Sequence, residues 1–304
     1  MDPNEALLQM IREGNGCPES FHKLLNQEGI SVNYSNPGNF ETPLHLAAIR
    51  GNDTAIKVLL MHGACINARS ADMMTPLHEA SLAGHVRCVE ILIGAGADVN
   101  ICNIDGSTPL CFASCRGCLK TVQLLLNMGA DVNSELSTAF PPLHEAVLQG
   151  HAHCVDLLVR YGAGVDKCEN QYGTVLHIAC LKNYCRCTRI LLLAGANPNT
   201  IRHHLSPLHL AAKHGCKMCI TLLVKFGADL HKRDVEGRRA VDITTDETCK
   251  AFLLNAMEIP WTLLHCSRIA AWRAMIPQYH RKINELPIPR ILKNYLNFSE
   301  FDSL

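Results

Sequence analysis

Sixteen cysteines and sixteen histidines stand among 304 residues, enough soft and borderline ligands to hold metal if a fold gathers them. Two pairs, Cys115-x-x-Cys118 and Cys216-x-x-Cys219, have the spacing that zinc sites use. Their register argues for a plainer role. Cys88, Cys154, Cys187 and Cys219 occupy one position of a periodic unit, with Thr121 there once; Cys118 and Cys216 share another with His85, His151 and Tyr184. Equivalent positions on stacked helices make a buried ladder of small apolar side chains, which free cysteine fills well. Five histidines, His45, His78, His144, His177 and His209, also recur once per unit. Packed helices lie ~8–10 Å apart, whereas the histidine ligands of one zinc lie ~2 Å from it. The expectation is therefore no metal and no cofactor. No Cys/His pair, paired carboxylate or phosphate-cradling glycine loop stands outside the periodic pattern, so no catalytic residue is assigned and the chain is not read as an enzyme.

The elements that must position these residues declare themselves by period. Thr-Pro-Leu-His stands at residues 42–45 and 75–78, and altered forms stand at 108–111, 141–144, 174–177 and 206–209, at intervals of 33, 33, 33, 33 and 32 residues. Gly-Ala keeps the same beat at 63–64, 96–97, 129–130, 162–163, 195–196 and 227–228. Two markers locked in phase at this period indicate a solenoid of ankyrin type. Thr42 and Thr75 are positioned to N-cap a helix whose first residue is proline, where no donor is lost. Gly51, Gly84, Gly117, Gly150 and Gly215 follow the first helix, where a positive φ stops it. A second apolar helix follows, such as Val89-Glu90-Ile91-Leu92-Ile93, and an asparagine then leads into an extended finger. One helix pair cannot bury its own apolar face, so neighbours must stack. The single 32-residue interval places a deletion in the finger of the sixth repeat.

Net charge is zero, with 28 basic and 28 acidic residues, so no broad basic field exists for nucleic acid or an anionic membrane. The start, Met1-Asp2-Pro3-Asn4-Glu5, is acidic without an apolar signal core, and no apolar run approaches the ~20 residues that span a bilayer. The expectation is a cytoplasmic protein with reduced thiols, the nucleus remaining open.

Four regions follow. Residues 1–35 read as a degenerate capping repeat, 36–233 as six ankyrin repeats, 234–257 as a degenerate C-terminal cap with Arg239-Ala240-Val241-Asp242 in place of the tetrapeptide, and 258–304 as a segment of different grammar. That last segment holds Trp261, Trp272, Pro277, Pro287 and Pro289. Residues 262–275 can form an amphipathic helix, Leu286-Pro287-Ile288-Pro289 must run extended, and a short helix can start at Pro289. Forty-odd residues make a poor independent core, so this segment calls for a partner or for the end of the stack.

The tail resembles a SOCS box, and the whole chain resembles the ankyrin repeat and SOCS box protein family. The family's cullin-selecting element reads apolar-x-x-Leu-Pro-apolar-Pro-x-x-apolar-x-x-Tyr-Leu, and Ile283, Leu286, Pro287, Ile288, Pro289, Leu292, Tyr295 and Leu296 fill every defined place. In the element that binds Elongin C, Thr262, Leu263 and Ala271 fit, while the cysteine place holds Ser267 and Cys266 stands one residue early. A hydroxyl in an apolar pocket costs roughly 1–3 kcal/mol, so Elongin C binding is expected to be weakened rather than abolished. The implied fold is all-α, an ankyrin solenoid followed by a small three-helix SOCS box. The implied function is a non-catalytic substrate receptor of a ubiquitin ligase: the tail docks Elongins B and C and a cullin with its RING subunit, and the repeats hold the client.

Repeat register puts Glu41, Arg50, Met74, Leu82, Arg116, Phe140, Gln149, Lys182, Arg202, His203, Lys213 and His214 on the client-facing side. Met74, Leu82 and Phe140 are expected to be exposed apolar anchors, with Arg116 beside them. Lys182, Arg202, Lys213 and His214 make the later repeats basic, which favours an acidic segment on the client. Two other readings stay open at this level: an ankyrin scaffold or inhibitor that binds a partner without ubiquitylating it, and a zinc-binding or enzymatic protein.

Overall fold

The computed structural model describes residues 3–14, 16–133, 140–169 and 171–258. Among them are sixteen α-helices and no strand, with isolated β-bridges at three finger hairpins. No helix of the described residues is long and apolar enough to cross a membrane. The helices fall into two compact units, residues 1–164 and 165–304.

The first unit holds α1 (Pro3–Glu13), α2 (Pro18–Leu25), α3 (Pro43–Arg50), α4 (Asp53–Met61), α5 (Pro76–Ala83), α6 (Val86–Gly94), α7 (Pro109–Arg116), α8 (Leu119–Asn127), α9 (Pro142–Leu148) and α10 (Ala152–Arg160). Odd-numbered helices pack on one another in one layer and even-numbered helices in a second. The second unit repeats this plan with α11 (Val175–Leu181), α12 (Cys185–Leu193), α13 (Pro207–Lys213), α14 (Lys217–Lys225), α15 (Ala240–Ile243) and α16 (Glu247–Glu258). Leu59, Leu92, Leu125, Leu158, Leu191 and Leu223 hold one position of the second-layer helices and are all fully buried. The N-terminal pair α1 and α2 lacks the tetrapeptide but buries Leu7, Ile11 and Phe21 completely.

The tetrapeptide both starts a helix and ties it to the next repeat. Thr42 and His45 form a capping box at the head of α3. The Thr42 backbone N–H donates to His45 Nδ1 at 3.2 Å, and the Thr42 hydroxyl lies 2.9 Å from the same nitrogen. With Nδ1 accepting, Nε2 carries the hydrogen and donates to the Met74 carbonyl at 2.9 Å, in the finger of the next repeat. His78 reaches Ser107 and His177 reaches Leu205 in the same way. Burial holds the imidazoles of His78 and His177 down at about 4, and lowers His45 as well. In the third repeat Cys111 takes the histidine place and sits 3.4 Å from the Thr108 hydroxyl. In the seventh, Asp242 accepts from the Arg239 N–H at 2.8 Å and pairs with its guanidinium.

Asparagines make a second tie. Asn100 donates to the Gly129 carbonyl and accepts from the Asp131 N–H, and Asn133 and Asn199 repeat the pattern one unit on from each. Whereas α15 ends at Thr244 in the extended region, the first-layer helices from α3 to α13 end at a residue in the left-handed region. At Gly117 (φ 74°) this is needed twice over, because a Cβ there would stand 2.5 Å from the His151 ring, whose Nε2 donates to the Cys115 carbonyl. The deletion in the sixth repeat does lie in the finger: Arg202 and Leu205 exchange backbone hydrogen bonds across His203 and His204, which both have positive φ. That is a two-residue hairpin of the primed kind, shorter than the others.

Candidate functional site

In the first unit, the residue after the tetrapeptide histidine lies on the half-open face of the first helices. Leu46, Glu79, Phe112 and Glu145 hold this place and are all partly exposed. The Glu79 carboxyl is pushed up to about 7, first by burial and then by the charges of Glu41 and Asp72. Glu145 is also raised by burial, which a hydrogen bond from the Cys115 thiol opposes. Between them Phe112 sets its ring edge-on to His78, with centroids 5.8 Å apart. Arg50, Leu82, Arg116 and Gln149 are exposed at the ends of the same helices, and Glu41 is half-buried in the finger. Sequence reasoning missed Glu79, Phe112 and Glu145. The available signal was the repeated Pro-Leu-His-Glu at residues 76–79 and 142–145.

Two expected apolar anchors of this unit are corrected. Met74 is only 8% exposed, because its carbonyl must turn inward to meet His45; its neighbour Met73 is the exposed one, with φ 58°. Phe140 is half-buried and stacks on His144, with centroids 6.5 Å apart and an interplanar angle of 12°. Leu82, at 41% exposure, remains available.

In the second unit the corresponding helix places hold Ile178, fully enclosed, and Leu210, half-buried. The charges here are basic. Lys182 and His214 cap the C-termini of α11 and α13, Lys213 is the last residue of α13, and all three are exposed. Cations are favoured at helix C-termini, so these positions cost the fold nothing. His203 and His204 are exposed at the tip of the short hairpin. Arg202 is a correction: it is half-buried and lies over Gly173, where an added Cβ would come within 2.5 Å of it.

The same unit gathers thiols. Cys185 opens α12, Cys216 is the N-cap of α14, and Cys219 lies in the first turn of α14. Cys185 Sγ is 3.4 Å from Cys216 Sγ and 3.5 Å from Cys219 Sγ. The ladder reading holds for Cys88, Cys154, Cys187 and Cys219, each at most 1% exposed. Burial pushes the Cys88, Cys154 and Cys187 thiols up to about 11. For Cys118 and Cys216, both half-buried, that reading is corrected. The Cys216 thiol is pulled well below the ordinary range by a hydrogen bond from Cys219 and by backbone N–H groups of the α14 terminus. Every cysteine of the described residues is a free thiol.

The expected Elongin-binding residues Thr262, Leu263, Ser267 and Ala271 lie outside the described residues. So do the expected cullin-binding residues Ile283, Leu286, Pro287, Ile288, Pro289, Leu292, Tyr295 and Leu296.

Comparison with known proteins bears on both regions. The family model described as ankyrin repeats (3 copies) matches residues 7–103, 73–136, 95–171 and 143–234, and the SOCS box model matches 259–297. The chain belongs to the ankyrin repeat and SOCS box family. Ankyrin repeat and SOCS box protein 9 of Homo sapiens is 38% identical over 91 residues, and ankyrin repeat and SOCS box protein 5 of Bos taurus is 38% identical over 96. These matches span 30% and 31% of this chain, and only 31% and 29% of the relatives' lengths. The crystal structure of the human ASB11 ankyrin repeat domain is matched over its whole length and 72% of this chain, at 35% identity and a TM-score of 0.67. The expected all-α ankyrin fold is thus met by helix pairs and by a solved relative. Within the family frame, the tetrapeptide ties and asparagine ladders are what the repeats share.

Proposed function

We propose that this chain is the substrate-recognition subunit of an Elongin B/C–cullin–RING ubiquitin ligase, with the ankyrin repeats holding the client and the SOCS box docking the ligase. The observation that carries the reading is the SOCS box match at 259–297, directly after the repeats. Leu263 would enter Elongin C, with Ser267 where cysteine is usual, and Leu286-Pro287-Ile288-Pro289 with Leu292 and Tyr295 would select the cullin. The chain supplies no reacting group in this scheme. It raises the effective concentration of client lysines near the ubiquitin-charged enzyme, and the chemistry belongs to other subunits.

Client selection would fall to the exposed side chains of the helix ends and fingers. Lys182, Lys213, His203 and His214 favour an acidic client segment on the second unit, whereas Glu41, Glu79 and Glu145 would repel one from the first. The work belongs in the cytoplasm on this reading, and access to the nucleus is open.

The test is recovery of partners with the full-length chain expressed in cells. Wild type is expected to bring down Elongins B and C and a cullin; Leu263→Ala should lose the Elongins, and Leu286→Ala/Pro287→Ala should lose the cullin while keeping them. Lys182→Glu/Lys213→Glu should keep the ligase subunits but lose client proteins that carry acidic segments. Absence of Elongins and cullin from the wild-type eluate would leave a plain ankyrin scaffold and end the ligase reading.

A further inference from the structure

Three cysteines from two successive repeats converge at one place in the second unit. Their Sγ atoms all lie within 4.8 Å of one another. In tetrahedral zinc sites the Zn–S distance is ~2.3 Å, which sets sulfurs about 3.8 Å apart. The 3.4 and 3.5 Å separations at Cys185 therefore need a shift of only a few tenths of an ångström. We propose that Cys185, Cys216 and Cys219 form a three-thiolate site for one zinc ion.

Repeat packing accounts for Cys219, a rung of the buried ladder, but not for the half-buried Cys185 and Cys216 beside it. The place of Cys216 is filled by Asn52, His85, Cys118, His151 or Tyr184 elsewhere, and the place of Cys185 by Asp53, Val86, Leu119, Ala152 or Lys217. Only here does cysteine hold three adjoining places at once. Where Cys118 stands in the first unit, the residue one turn on is Thr121 rather than cysteine, and the two meet by a hydroxyl–thiol hydrogen bond. Thiolates select soft and borderline ions such as zinc over magnesium or calcium.

The surroundings suit an ion reached from solvent. Cys185 and Cys216 are half-buried, and Cys219 closes the inner side. Cys216 lies at the N-terminus of the nine-residue helix α14, whose backbone N–H groups favour an anionic sulfur. Two further thiols lie nearby but are committed elsewhere. Cys180 is wholly enclosed, and Cys249 donates to the Gly215 carbonyl at 3.5 Å. The chain thus supplies three ligands and leaves the fourth position to water or to an incoming donor, the arrangement of an open zinc site. On binding, the thiols still protonated release their protons to solvent and zinc gives up water molecules.

The site stands apart from the ligase reading, and its test uses the full-length chain without any partner. Metal-free reduced protein is titrated with zinc chloride against a chromophoric chelator, and cysteine alkylation is mapped by mass spectrometry with and without zinc. Wild type is expected to bind one zinc per chain, and zinc should protect Cys185 and Cys216 from alkylation, Cys219 being enclosed with or without the ion. Cys216→Ser, which puts a hydroxyl at the N-cap of α14, and Cys185→Ser should each weaken binding at least about tenfold; Cys154→Ser in the first unit should not. Cobalt in place of zinc should give sulfur-to-metal charge-transfer absorption that both variants lose. No stoichiometric zinc in wild type, equal affinity in Cys216→Ser, or protection of other cysteines would overturn the proposal. The alkylation pattern of wild type decides the matter even if a variant misfolds.

Discussion

Glu79 and Glu145 carry carboxyl groups where Ile178 and Leu210 carry aliphatic side chains, although the four occupy the same place in their repeats. The two units share their capping boxes, histidine ties and leucine core, and differ on the side chains that packing leaves alone. The first unit turns carboxyl groups and Phe112 to its half-open face, and Ser81 and Ser114 lie beneath it. The second turns Lys182, Lys213 and His214 outward and gathers thiols at the head of α14. A repeat protein separates the two jobs because each helix pair is held by its neighbours, so residues outside the stacking contacts vary at little cost to the fold.

The strongest challenge to this comparison is a core truncation in each half. Leu92→Ala and Leu191→Ala remove equivalent, fully buried side chains, and each is expected to lower unfolding free energy by about 2–5 kcal/mol. Urea denaturation checks it; a cost confined to one unit would show that the interiors are not interchangeable. A gain of stability should mark the first unit alone. The hydroxyls of Ser81 and Ser114 are buried with no hydrogen-bond partner, at the place where the second unit has Cys180 and Ala212. Ser81→Ala or Ser114→Ala should stabilise by about 1 kcal/mol, since an unpaired buried polar group costs roughly 1–3 kcal/mol, and a fall in the thermal midpoint would contradict the account.

The smallest effect is the one that depends on pH. The Glu79 carboxyl is raised to about 7 in the fold from its usual 4.5. The folded state then holds a proton that the unfolded chain releases, so this group's contribution to stability falls as pH rises from 4.5 to 7. Glu79→Gln should leave the thermal midpoint almost unchanged at pH 4.5 and raise it modestly at pH 8. The lowered histidines act in the opposite sense. His78 and His177, held at about 4, withdraw stability as pH falls from 6.5 towards 4. The Glu79→Gln comparison is therefore made as a difference from wild type at each pH; a larger gain at pH 4.5 than at pH 8 would refute the burial of that carboxyl.

Period and type made most of the fold legible before any coordinates. Thr-Pro-Leu-His and Gly-Ala fix helix starts and stops because proline, a capping hydroxyl and a left-handed glycine act within one or two turns of chain. Repetition then implies stacking, because one pair cannot cover its own leucines. The finger deletion and the buried cysteine ladder were readable for the same reason. Spatial closeness across repeats was not. Met74 looked like a free anchor because its exposure depends on His45, 29 residues earlier. Arg202 looked free because the glycine beneath it, Gly173, belongs to the preceding finger. Glu79 was passed over because the burial and the Glu41 and Asp72 charges that raise its carboxyl arise only when the chain is folded.

By itself, the chain of residues determined the helix pairs, their order and the ties that join them, since each depends on local backbone chemistry repeated at a constant spacing. The basic character of the later repeats was readable too; only the tertiary structure decided that Glu79 is partly buried, that Met74 is enclosed, and that Cys185 meets Cys216 and Cys219 across 31 and 34 residues. Those outcomes depend on distances between side chains of different repeats, and a one-dimensional period says which residues are equivalent but not which of them touch.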